Sequence, residues 1–426
     1  MFRNVSVTVV GLALIVVSMA ALVSGDEGPE KLSSAPLVQH VMRSSGVEAA
    51  VAKLQQLLSD SSDAYTFEYG HLRFAANWLA MNGRRTESLA MLSQMAELFP
   101  ESPAPWIELA HEHIQSADEM AAETCLDNAL SRDPDDPLVA WHRQHLSELI
   151  ALQSATNALP ADPSIGIATG ITDPYFGTLE PADRPEIFAP GYVNSLINEF
   201  SLAFSPDMRE MYFSRSVSGI MATRWTKEGW TFPRRLVPVE NTPLCDEPSV
   251  SPDGRWLFFN VHTASIGDRV VYRAPRNGER WGEPESLFVG MYATAASDGT
   301  VYYTETTGRP DFGVIAKREP TAAGYTEPEV LGGGVNSERL DAHPYIAPDE
   351  SFIIFDSNRS GANVGYISFR GADGAWGEAI PFNELLSIPD NVGQFSLTPD
   401  GRYLFFSLNN DMYWVSAEPL MTLRPE

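Results

Sequence analysis

The stretch 246–259, DEPSVSPDGRWLFF, runs from two acids through a Pro-Asp-Gly turn into an aromatic run of β-forming residues. A Pro sets the backbone entering such a turn, and an Asp side chain accepts from the backbone N–H two residues on. The same unit recurs as FSPDMREMYFS, ASDGTVYYTE, IAPDESFIIFD and LTPDGRYLFFS, with the turn acid at Asp207, Asp253, Asp298, Asp349 and Asp400. The spacings of 46, 45, 51 and 51 residues suit one four-stranded blade per repeat. An acid that returns in every blade is a turn device, so these five Asp residues are read as architecture.

Each unit continues with a third strand (IMATRW, RVVYRA, GVIAKR, VGYISF, MYWVSA) and then an aromatic at Trp230, Trp281, Tyr325 or Trp376. Fourth strands follow as PRRL at 233, PESL at 284, PEVL at 328 and AIPF at 379. The fifth unit has none of its own, while PEIF at 185–188 stands unmatched before the first. Donating that segment to the last blade closes the ring and leaves no open sheet edge. The expectation is a five-bladed β-propeller over 185–420; the six-bladed alternative would need a repeat that the sequence does not contain. These repeats resemble the WD40-like units of TolB-type propellers. The third departs from the pattern by lacking the Pro. That resemblance implies a fold and says nothing of activity, because such repeats serve scaffolds, receptors, lyases and peptidases alike.

Residues 36–154 carry helical periodicity instead, in TESLAMLSQMAELFP and ADEMAAETCLDNALSRDP. Pro100 and Pro134 lie 34 residues apart. Trp106, Leu109, Ala110, Ala122, Leu126 and Ala129 occupy the positions where two helices of a hairpin meet, with Leu72, Ala76, Gly83 and Leu92 in the preceding unit. The segment resembles a tetratricopeptide-repeat stack, which implies a groove for a peptide or a protein. A helix from Pro137 to about Gln153, carrying Trp141, is expected to cap it. Residues 155–184 read as a linker that docks onto the propeller.

Residues 1–25 have one early cation, Arg3, then an apolar run and small residues, the pattern of a secretory signal peptide cleaved after Gly25. No second run of spanning length follows. The protein is therefore expected in the periplasm or outside the cell, with no stable membrane insertion after cleavage. A net charge of −27 disfavours nucleic acid and anionic membranes and favours neutral or cationic partners. Cys125 and Cys245, the two cysteines, lack metal-ligand spacing and are read as unpaired.

Function on a propeller sits where the repeats differ. Six residues before each turn Asp stand Ser201, Glu247, Tyr292, His343 and Gln394, which should form one polar ring near the channel mouth and a binding site. Glycosidases built on five blades use two or three axial carboxylates, and this ring offers one. Glu247 with His343 as base and acid, or sharing a metal with Asp341, is the enzymatic alternative, of the polysaccharide-lyase or hydrolase kind. Asp246 lies nearby.

Other motifs fall short. HEHIQ at 111–115 has Gln115 where a zinc-protease helix needs its second His, and His142 with His145 read as a solvated helix face. Arg215, Arg224, Arg234, Arg235 and Arg359 are read as internally paired. No cofactor or metal is expected. The sequence favours a non-catalytic exported scaffold. Its groove and propeller top would bind a protein or peptide, with a glycan or peptidoglycan as further ligand classes for the propeller.

Overall fold

The computed structural model describes residues 32–61, 65–160, 165–178, 180–181, 184–236, 245–262, 269–307 and 313–425. The leader read over 1–25 lies outside them. The chain divides into two compact units, one through Leu98 and one from Phe99, so the division falls inside the helical region. In the first unit, helix Ala35–Ser61 is interrupted at Gly46, whose φ of 86° needs a residue without Cβ. Helices Tyr69–Met81 and Arg85–Leu98 follow, burying Leu72, Ala76, Leu79, Met91, Leu92 and Met95.

The second unit opens with helices Ala104–Gln115 and Glu119–Leu130, whose small contact residues Ala110, Ala122 and Ala129 are at most 1% exposed. Asp118 caps the second by accepting from Ala121 N at 3.2 Å. The expected capping helix from Pro137 is two helices, Pro137–Gln144 and Leu146–Asn157, separated at His145. Asp136 accepts from Leu138 N and Val139 N at 2.9 Å and starts the first. Trp141 packs edge-on to Tyr192 at 6.3 Å, and Leu149 joins the propeller core.

The propeller has five antiparallel blades in which consecutive strands pair from the axis outward. Blade 1 comprises Glu199–Phe204, Glu210–Arg215, Gly219–Thr226 and Arg234–Arg235. Blade 2 comprises Cys245–Val250, Trp256–His262, Arg269–Asn277 and Glu285–Val289. Blade 3 is Met291–Ala295, Val301–Glu305, Val314–Arg318 and Glu329–Val330. Blade 4 is Asp341–Ile346, Phe352–Ser357, Val364–Phe369 and Ile380–Pro381. Blade 5 is Val392–Leu397, Tyr403–Leu408 and Asp411–Ser416, completed by Glu186–Ile187 from before blade 1. Ile187 pairs with Tyr413 and Glu186 with Trp414, which is the closure the repeats imply.

Large aromatics fill the gaps between blades: Phe188, Trp230, Phe405 and Trp414 form one fully buried cluster with Tyr175 and Phe176. The segment 165–178 docks by backbone pairing on blade 1, with Thr169 N on Trp230 O at 2.8 Å and Phe232 N on Ile167 O at 2.7 Å. All five turn acids accept from the N–H two residues on, at 2.8–3.1 Å.

Candidate functional site

Every inner strand carries the same irregularity. Pairing runs Phe200 to Ser214 and then jumps to Ala203 with Tyr212, so Ser201 and Leu202 together face one partner residue. Equivalent bulges fall at Glu247–Pro248, Tyr292–Ala293, His343–Pro344 and Gln394–Phe395. The first residue of each has a left-handed backbone, with φ of 54°, 54°, 51°, 52° and 58° from blade 1 to blade 5. Glycine adopts that conformation without strain; a side chain there costs about 1–2 kcal/mol. The same strained bulge therefore recurs once in each of the five inner strands.

The strain is held from behind. Ser214 Oγ accepts from Glu247 N at 2.8 Å, Asn260 Oδ1 from Tyr292 N at 3.3 Å, Thr304 Oγ1 from His343 N at 2.9 Å and Asp356 Oδ1 from Gln394 N at 2.9 Å. Each acceptor sits on the second strand of the preceding blade, so these bonds also stitch neighbouring blades. In the sequence each is the polar residue that follows the aromatic run of its repeat: Ser214, Asn260, Thr304 and Asp356.

The structure brings four of the ring residues, Glu247, Tyr292, His343 and Gln394, into contact. Glu247, from blade 2, reaches across the axis to His343 Nε2 of blade 4 at 3.8 Å and to Gln394 Nε2 of blade 5 at 3.3 Å. Asn260 donates to its other oxygen, and Arg269 stands 3.5 Å away. His343 Nδ1 meets Asp356 at 2.8 Å, and its ring lies edge-on to Tyr292 at 5.1 Å. The Tyr292 hydroxyl crosses to Phe395 O at 3.0 Å. Ser201 Oγ is buried, and among the described residues it has no hydrogen-bond partner. Burial, with the Asp246 charge added, pushes Glu247 above the ordinary carboxylate range against the pull of Arg269 and His343. Burial works against a charged His343, but Asp356 and Glu247 together outweigh it and the imidazole is raised.

The ring lies deeper than a mouth, because the bulge falls in the middle of each inner strand: Glu247 is 2% exposed. On the turn side of the ring opens a vestibule of about 320 Å³ with residues from all five blades. Pro206, Ser297, Pro348 and Pro399 at its rim are exposed. Glu247 and Tyr292 form its floor.

The remaining candidates are engaged elsewhere. Asp341 is fully buried, with one oxygen on Arg359 at 2.5 Å and the other accepting from Ser337 N and Oγ. Blade 1 repeats that device, where Glu199 binds Arg215 at 2.6 Å and Ser195. Arg224 pairs with Glu210 at 3.2 Å. Asp246 binds His262 at 2.6 Å through one oxygen. His142 is 2% exposed rather than solvated, because its helix packs on the propeller core; its Nδ1 is bonded to Leu138 O at 2.8 Å. His145 stacks on Trp141 at 4.1 Å. Cys125 and Cys245 are buried and not joined in a disulfide. Among the described residues, no three His, Cys, Asp or Glu side chains converge to hold a metal, and no helix is long and apolar enough to cross a membrane.

No family model and no curated protein matches the chain. Among solved structures, it is similar to a protein assigned as TolB from Agrobacterium tumefaciens, at 18% identity over 51% of this chain and 72% of that one, with a TM-score of 0.38. TolB from Acinetobacter baumannii gives 15%, 66%, 70% and 0.35 in the same order. A gluconolactonase from Xanthomonas campestris gives 14%, 56%, 97% and 0.37. Two of the three are TolB-type propellers, the type the repeats resemble. At TM-scores this low none carries a functional argument, and the five-bladed ring rests on the strand pairing of the chain itself.

Proposed function

We propose that this chain is a non-catalytic binding protein of the cell envelope or the medium, whose propeller holds part of a polypeptide partner in its axial vestibule. One observation carries the reading: an apolar vestibule built by all five blades opens at an exposed rim, while the polar ring beneath it binds largely to itself. Apolar surface that a partner can cover is the usual substrate of association. Export follows from the leader over 1–25, and the helical hairpins, read as tetratricopeptide-like, offer a second surface for a protein. A photo-crosslinking residue at Ser297 should trap a partner polypeptide in the cell envelope. A rim that never forms an adduct, from any of Pro206, Ser297 and Pro348, sinks this reading.

A second reading is favoured by His343, held by Asp356 on one side and facing Glu247 on the other. That is the arrangement of a positioned base, and it supports a lyase or hydrolase acting on polysaccharide. Release of product from a polysaccharide panel, lost on His343→Asn, would establish it.

A further inference from the structure

The vestibule has walls and a floor of different chemistry. Leu202, Val250, Ala295, Ile346 and Leu397, one from each blade, make the walls aliphatic. Glu247, on the floor, carries the one formal charge among the lining residues, and Tyr292 and Tyr345 lie among them as aromatic surface. Arg269 and His343 pair with Glu247 at 3.5 and 3.8 Å, longer than a direct charge-assisted hydrogen bond, and Asn260 and Gln394 donate to its two oxygens, so an ammonium would have to compete with them there. At the equivalent position of blade 1, the buried Ser201 Oγ is a polar atom without a partner among the described residues.

A carboxylate and aromatic faces at the end of an apolar shaft suit an ammonium on an aliphatic stem. The stem gives its apolar surface to the walls, and the carboxylate and ring faces replace the water that the ammonium loses. A neutral side chain gains only the first of these, and an anion meets both Glu247 and the buried Asp246. The net charge of −27 draws a cationic segment toward the chain from a distance.

We propose that the vestibule takes a lysine side chain of a polypeptide partner, its stem between the five walls and its ammonium at the Glu247–Tyr292 floor. This rests on the vestibule being the partner-binding site. The test is calorimetry of the full chain at low salt with the peptide acetyl-Ala-Leu-Lys-Leu-Ala-amide and its norleucine and glutamate analogues. The lysine peptide should bind about tenfold tighter than the norleucine peptide, and the glutamate peptide should be weakest. Glu247→Gln should erase the preference for lysine and keep the norleucine affinity. Ser297→Trp, at the exposed rim, should weaken both peptides. Equal affinity for lysine and norleucine in the native chain overturns the lysine inference and leaves the vestibule as the binding site. Binding that is absent, or indifferent to Ser297→Trp, overturns both.

Discussion

At the scale of the residue, the ring pays in backbone strain for side chains where glycine would sit at ease. Ser201 separates the two costs, because its hydroxyl has no partner to lose among the described residues and its φ is 54°. Ser201→Gly should therefore stabilise the propeller by about 1 kcal/mol, measured by denaturant unfolding. A loss of stability would show that the Oγ has a use in the free protein. His343 offers a second measurement. Asp356 raises it above its ordinary value, so its contribution is present at low pH and is lost as pH rises through the raised value. In Asp356→Asn the imidazole titration, followed by NMR, should move to lower pH; an unchanged titration would remove Asp356 as the cause.

At the scale of the element, three Asn residues clip the edges of blades. Asn194 donates to Phe188 O at 2.6 Å and Met412 O at 2.7 Å and accepts from Met412 N at 2.7 Å, fastening the closing strand. Asn336 clips Ile315, accepting from its N–H at 2.7 Å and donating to its carbonyl at 2.8 Å, and Asn383 accepts from Gly365 N at 2.8 Å. Asn194→Ala leaves buried backbone groups without partners and should cost about 2–3 kcal/mol. Amide exchange should quicken over 411–416 with blade 3 unchanged. The sequence displays this device twice, as VNSLINE at 193–199 and VNSERLD at 335–341, but at positions outside the turn-centred alignment. Blade count was legible because the turn Asp repeats, and the closing strand because PEIF at 185–188 has no partner unit. The supporting acceptors were visible as letters and not as roles, since a Ser, Asn, Thr or Asp near the end of a strand declares no partner. Asp341 looked available for the same reason, and only the fold shows Arg359 beside it.

At the scale of the whole molecule, burial of His142 links packing of the helices Pro137–Gln144 and Leu146–Asn157 on the propeller to protons. Burial, with Arg215 and His145 adding to it, pushes the imidazole down to about 4 against the Leu138 bond. Between that value and the ordinary 6.5 the unfolded chain binds a proton that the folded chain does not. Stability from this group is thus intact above that window and falls with pH, by about 3 kcal/mol at most. Unfolding of native and His142→Gln chains at neutral pH and near pH 4.5 should show a shallower acid loss in the variant; parallel losses would clear His142. The residues before blade 1 matter differently. A chain starting at Ser195 lacks the outer strand of blade 5, and size-exclusion chromatography should show it associating through the bared edge. Recovery of the monomer on adding a peptide of residues 184–194 would complete the test.

That closure also sets a clock. Asn194 and Met412, which lock the last blade, lie 218 positions apart. The first strand of the propeller to leave the ribosome must therefore wait for nearly the last. Contacts so distant along the chain form late and slowly. Blades 1 to 4 can pair locally as they emerge, yet the axial vestibule has no complete wall until the final blade is made. A chain lacking blade 5 would thus be structured in its first four blades, and the binding proposed for the vestibule would arise only once the last blade has paired.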